Sequence, residues 1–123
     1  MEAVSDVARA RADSFAGPVL LLKHSAWCGI SSGALYAFKR HAEAESAVPH
    51  WMVTIQTHPP VSEFITRTLR VAHQSPQLIL LYEGVAIWTR SHREISHTSL
   101  QEALAVWHAE KAEGPVDGAD DPA

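Results

Sequence analysis

Cysteine is all but missing from this chain. Among its 123 residues there is one, Cys28. A lone cysteine excludes any disulfide within the chain, fits a reducing compartment and leaves no set of thiolates for a structural zinc. Long apolar runs are missing too. The longest, Pro18-Val-Leu-Leu-Leu22, falls far short of the roughly 20 residues a membrane span needs. The opening Met1–Val7 lacks the basic segment and apolar stretch of a signal peptide. A cytoplasmic protein with no membrane partner is the expectation. An excess of positive charge is absent as well. Lys and Arg number 10 against 14 Asp and Glu, and four of those acids (Glu113, Asp117, Asp120 and Asp121) fall in the last eleven residues. The remaining body is about neutral, which argues against a nucleic-acid partner.

What is present reads as alternating helices and strands. Residues 1–16 place Val4, Val7, Ala8, Arg11 and Phe15 on one side at helical spacing, and Gly17-Pro18 stops them. Val19–Lys23 is a continuous, mostly apolar run bounded by turn signals, the pattern of a strand buried on both faces. Residues 29–45 line up Ile30, Ala34, Leu35, Phe38 and Ala42 as a helical face, and Pro49 follows. Trp51–Ile55 is rich in strand-forming types. His58-Pro59-Pro60 opens a helix that carries Val61, Phe64, Ile65 and Leu69 on one face. Gln77–Tyr82 and Val85–Thr89 are strands joined through Glu83-Gly84, a tight hairpin turn. A last helix starts between Ser96 and Ser99 and presents Leu100, Ala103, Leu104 and Trp107. Residues 113–123 read as a disordered acidic tail beyond a single domain of residues 1–112.

The order is α, then β-α-β, then α, then β-β-α. The βαβ unit requires a parallel pair with a right-handed crossover, and the hairpin requires an antiparallel pair. An α/β fold follows: a three-layer sandwich with a four-stranded mixed sheet flanked by helices, the thioredoxin-like arrangement, with strand order 2-1-3-4.

Cys28 stands just after the first strand and at the start of the second helix. The first amides of a helix lack intrahelical partners and the helix dipole favours negative charge there. Such a position lowers a cysteine pKa from ~8.5 toward roughly 3.5–7.5. The N–H groups of Ile30 and Ser31, with the Ser31 hydroxyl, are candidates to bond the sulfur. Gly29 admits a partner's backbone. Lys23, His24 and His92 are candidates to add positive potential. The eight histidines show no metal-ligand spacing, and no metal site is expected.

Trp27-Cys28-Gly29-Ile30-Ser31 resembles the thioredoxin motif Trp-Cys-Gly-Pro-Cys, with Ile30 for Pro and Ser31 for the resolving cysteine. It is also similar to the Cys-Gly-Phe-Ser of monothiol glutaredoxins. A closer resemblance is to the monothiol bacilliredoxin family (the YtxJ or BrxC type) of bacillithiol-using bacteria. Lys23-His24-Ser25-Ala26-Trp27-Cys28-Gly29-Ile30-Ser31, His73-Gln74-Ser75-Pro76-Gln77 and Ser91-His92 match its blocks in order across residues 19 to 107. Gly29 stands where the family usually has Pro, and Arg93 where it has an aromatic. The resemblance implies Cys28 and Ser31 as catalytic residues, and Trp27, Gly29, Ser75, Pro76, His24 and His92 as substrate-binding ones. It further implies a cis bond before Pro76, with the Ser75 backbone clamping the bound thiol or peptide.

The function so implied is removal of bacillithiol, or a similar low-molecular-weight thiol, from mixed disulfides on client proteins. The co-substrate is that thiol, and no other cofactor is expected. With one cysteine the chain cannot release its own mixed disulfide, so an external thiol must do so. Two alternatives stand beside this reading. One is an iron–sulfur carrier, for which two chains and two external thiols would supply the ligands. The other is a redox-silent interaction module.

Overall fold

A computed structural model describes residues 1–27 and 29–113. The elements are α1 (Val4–Asp13), β1 (Val19–His24), α2 (Gly29–Ala44), β2 (His50–Thr54), α3 (Pro59–Leu69), β3 (Gln77–Tyr82), β4 (Val85–Ser91), a 3₁₀ turn (His92–Glu94) and α4 (His97–Glu113). Helix α4 thus takes in the first residue assigned to the tail, and residues 114–123 lie outside the described residues. No helix among the described residues is long and apolar enough to cross a membrane.

The strands form one sheet in the order β2-β1-β3-β4, as the connectivity implied. β1 pairs parallel with β2 and antiparallel with β3, and β3 pairs antiparallel with β4. Successive strand side chains point to opposite faces. Val19 and Leu21 therefore join Ile79 and Leu81 beneath α1 and α3, with Val7, Val61 and Ile65. Leu20 and Leu22 join Leu78 and Leu80 on the other face, against Phe38 of α2 and Leu100 of α4. Burial on both faces explains why β1 and β3 are unbroken apolar runs.

Helix α1 ends earlier than its apolar spacing suggests. After Asp13, Ser14 donates its hydroxyl proton to the Arg11 carbonyl and accepts the Gly84 N–H at 2.9 Å, while its own carbonyl accepts the Glu83 N–H. The hairpin turn takes positive φ at both Glu83 and Gly84. A Cβ on Gly84 would lie 2.8 Å from the Phe15 ring. Phe15, expected on the apolar stripe, is instead 65% exposed and covers that turn.

Candidate active site

The strand register brings four segments to one end of the sheet. His24 lies opposite Thr54, Lys23 opposite Gln77, and Gln77 opposite Ser91. The chain leaving β1, leaving β2, entering β3 and leaving β4 meets there. Ligands of open α/β sheets bind at such strand ends. Apart from Cys28, the residues expected at the site lie in these segments or in the first turn of α2 that follows β1. Cys28 itself lies outside the described residues. Its neighbours in the chain are open to solvent: Trp27 is 85% exposed, and Gly29, the first residue of α2, has empty space where a Cβ would stand.

The loop between β1 and α2 is held from two sides. Ser31 is fully buried, and its Oγ accepts the Ser25 N–H at 2.9 Å and lies 2.8 Å from His24 Nδ1. The Ser31 hydroxyl therefore faces the loop's own backbone and an imidazole. Burial pushes the His24 pKa below the ordinary imidazole value, against a weaker opposing effect of its bond to Ser31. That shift disfavours the imidazolium, the form that would add positive potential here. On the other side Gln56 donates from Nε2 to Ser25 Oγ at 2.9 Å and accepts the Ala26 N–H on Oε1 at 2.8 Å. Sequence reading passed over Gln56. Nothing local marks it, because its partners lie some 30 positions away.

Ser75–Pro76 is a cis peptide. Pro76 is buried, Ser75 is half-buried, and the Pro76 carbonyl accepts the His92 N–H at 3.0 Å. His92, at φ 55° and exposed, starts the 3₁₀ turn. Its backbone thereby ties the end of β4 to the proline segment.

Lys23, expected to add positive potential beside Cys28, points elsewhere. It shares the face of Val19 and Leu21, points beneath α3, and is fully buried. Its Nζ donates to Thr66 Oγ1 at 3.0 Å and to His73 Nδ1 at 2.8 Å. Thr66 in turn donates to the Ser62 carbonyl. Among the described residues no carboxylate comes within ion-pair distance of this ammonium. Burial lowers its pKa to about 8, and the His73 imidazole is also pushed down, by burial first and by Lys23 second. Lys23 is the charged donor and His73 the neutral acceptor. The signal was present in the sequence: a lysine closing a strand read as buried on both faces needs polar partners. Beside this cluster lies a groove of about 430 Å³, lined by Ile55, by Pro59, Ser62, Glu63, Thr66 and Arg67 of α3, and by His73.

Residues 1–100 match the model of a known family, the monothiol bacilliredoxin BrxC. The chain belongs to the monothiol bacilliredoxin family. Solved structures agree with this family's thioredoxin fold. A candidate oxidoreductase with a thioredoxin fold is 26% identical at a TM-score of 0.75, covering 85% of this chain and 90% of that one. Fasciola hepatica thioredoxin is 13% identical at a TM-score of 0.69, covering 84% and 92%. Malassezia sympodialis thioredoxin is 14% identical at 0.69, covering 87% of each chain. The last two speak to the fold alone. The family and the first of these neighbours support a bacilliredoxin chain that acts on thiols.

Proposed function

We propose that this bacilliredoxin is a cytoplasmic thiol-disulfide oxidoreductase. It takes bacillithiol, or a similar low-molecular-weight thiol, from mixed disulfides on client proteins through Cys28. The observation that carries the reading is that α2 begins at Gly29. Cys28 then immediately precedes a helical first turn, whose unpaired amides and dipole favour a thiolate.

The Cys28 thiolate attacks the small-thiol sulfur of the mixed disulfide. One S–S bond forms as another breaks, and the client departs as a thiolate that takes a proton from water. No electrons are gained or lost overall in this step. A second thiol, from outside the chain, then attacks the adduct, is itself oxidised to a disulfide with the small thiol, and frees Cys28. Ser31, in place of a resolving cysteine, holds the loop at the helix start. The Ser75 backbone beside cis Pro76 clamps the bound disulfide. Trp27 and Gly29 leave the approach open, and His24 and His92 flank it.

The test is turnover on a bacillithiolated reporter protein, together with thiolate absorbance of Cys28 against pH. A thiol pKa well below ~8.5 with turnover is expected. No turnover together with an unshifted thiol overturns the reading.

A further inference from the structure

We infer that the His41–His50 pair is an acid-released latch that holds the end of α2 to the start of β2 and opens locally when it takes up a proton. The latch is independent of the chemistry proposed for Cys28, and it closes the end of α2 opposite to Gly29.

Its hydrogen bonds form a closed circuit. His50 Nδ1 lies 2.7 Å from the Val48 carbonyl, and His50 Nε2 lies 2.8 Å from His41 Nδ1. The Val48 N–H donates to the Glu45 carbonyl at 3.0 Å, and the Glu45 N–H donates to the His41 carbonyl at 2.8 Å. The Leu20 N–H ties this circuit to β1 through the Pro49 carbonyl at 3.0 Å. Phe38 of α2 meets the His50 ring edge-on, with centroids 5.1 Å apart.

The proton order has one solution. A carbonyl only accepts, so His50 carries its proton on Nδ1. Neutral His50 then has a bare Nε2, which takes the Nδ1–H of His41. This leaves His41 Nε2 bare, and that atom is buried with no hydrogen-bond partner among the described residues. One added proton always ends there. If His41 takes the charge, it binds the proton on Nε2 directly. If His50 takes it, the shared proton passes to His50, and neutral His41 becomes the Nε2–H tautomer. In both cases a charge and an N–H without an acceptor are buried together. A second proton sets two N–H groups against each other and breaks the bond between the rings.

The charged and titratable groups acting on His41 are His50 on β2, Glu45 just past α2, and His97 at the start of α4, whose ring centroid is 6.3 Å away; Glu45 acts on His50 as well. Glu45 favours the imidazolium, but burial outweighs it and holds both rings below the ordinary value. The opened segment therefore binds more protons than the closed one below about pH 6.5, so the latch is at full strength above that value and weakens beneath it.

Two measurements on the full chain test this. Ring-nitrogen NMR of the wild type near neutral pH is expected to find both Nδ1 atoms protonated and both Nε2 atoms bare, with His41 less than half charged at about pH 6.5. Any other tautomer pair, or a His41 more than half charged at that pH, overturns the latch. Amide hydrogen exchange at Leu20, Glu45 and Val48, corrected for intrinsic rates, gives the opening constant. Its rise from about pH 7.5 to about pH 5.5 is expected to be about ten-fold for each proton fully taken up, and at least about three-fold greater in wild type than in His41→Phe/His50→Phe, where neither position titrates. A smaller difference overturns the proposal. If the double variant does not fold, the wild type decides alone, and a rise below about three-fold at these amides overturns it.

Discussion

The two ends of the sheet are built on opposite plans. At the far end the hairpin turn Glu83-Gly84 is closed against the end of α1. Ser14 bonds both turn amides, Arg11 Nε reaches the Gly84 carbonyl at 3.1 Å, and the Phe15 ring covers the turn. Both turn amides thereby find acceptors in Ser14. At the near end the loops are pinned by side chains of Ser31, Gln56 and Lys23, while Trp27 and Gly29 stand in solvent. The contrast teaches where this small domain can bear polar burial. Hydrogen bonds at the far end satisfy the backbone and fix the fold. At the near end they hold the loops, and one of them engages a buried ammonium with no carboxylate within ion-pair distance among the described residues.

The comparison is broken most completely by Cys28→Ser. It is expected to remove turnover by at least about 10³-fold while the far-UV dichroism and melting curve stay close to wild type. Loss of the fold in this variant would show that both ends depend on the cysteine.

Acidity sharpens the contrast next. The folded Lys23 pKa of about 8 lies below the unfolded value of about 10.4. Between those values the unfolded chain binds more protons, so this group adds stability as pH rises from about 8 to about 10, by a few kcal/mol at most. Its cost is fully present below about 8. Urea midpoints at the two ends of that window should climb more for wild type than for Lys23→Met, and parallel behaviour would contradict a buried ammonium.

Ser14→Ala attacks the far end alone. It leaves the buried Gly84 N–H unpaired and is expected to cost about 1–3 kcal/mol in urea unfolding, with kcat/KM on a mixed-disulfide reporter unchanged. Gln56→Ala is the mirror experiment and the smallest effect in stability, about 1 kcal/mol or less for a half-buried side chain. Because it frees the Ser25–Ala26 backbone, kcat/KM is expected to fall a few-fold. If Ser14→Ala slowed the chemistry or Gln56→Ala spared it, the division between the two ends would not hold.

Much of the fold was legible because local patterns and topology agreed. Unbroken apolar runs marked β1 and β3, Pro59-Pro60 marked the start of α3, and Glu83-Gly84 marked the hairpin, after which strand order had few choices. The end of α1 was not legible, since Ser14 finds its partner 70 positions away. The site segments were legible as motifs, and register then brought them to one edge. What escaped was the direction of side chains. The inward turn of the Ser31 hydroxyl depends on helix phase, and the partners of Lys23 lie 43 and 50 positions along the chain. His41 likewise reads as an ordinary helical residue, yet it is fully buried and its Nδ1 lies 2.8 Å from His50 Nε2 across α2 and β2.

The four indoles of this chain are sorted by their access to water. Trp88 is buried, Trp51 and Trp107 are half-buried, and Trp27 alone stands free, next to Cys28 in the chain. Acrylamide should therefore quench one emitter ahead of the other three. Loading of Cys28 should be visible as a change in that emitter's light, in real time and without any added dye.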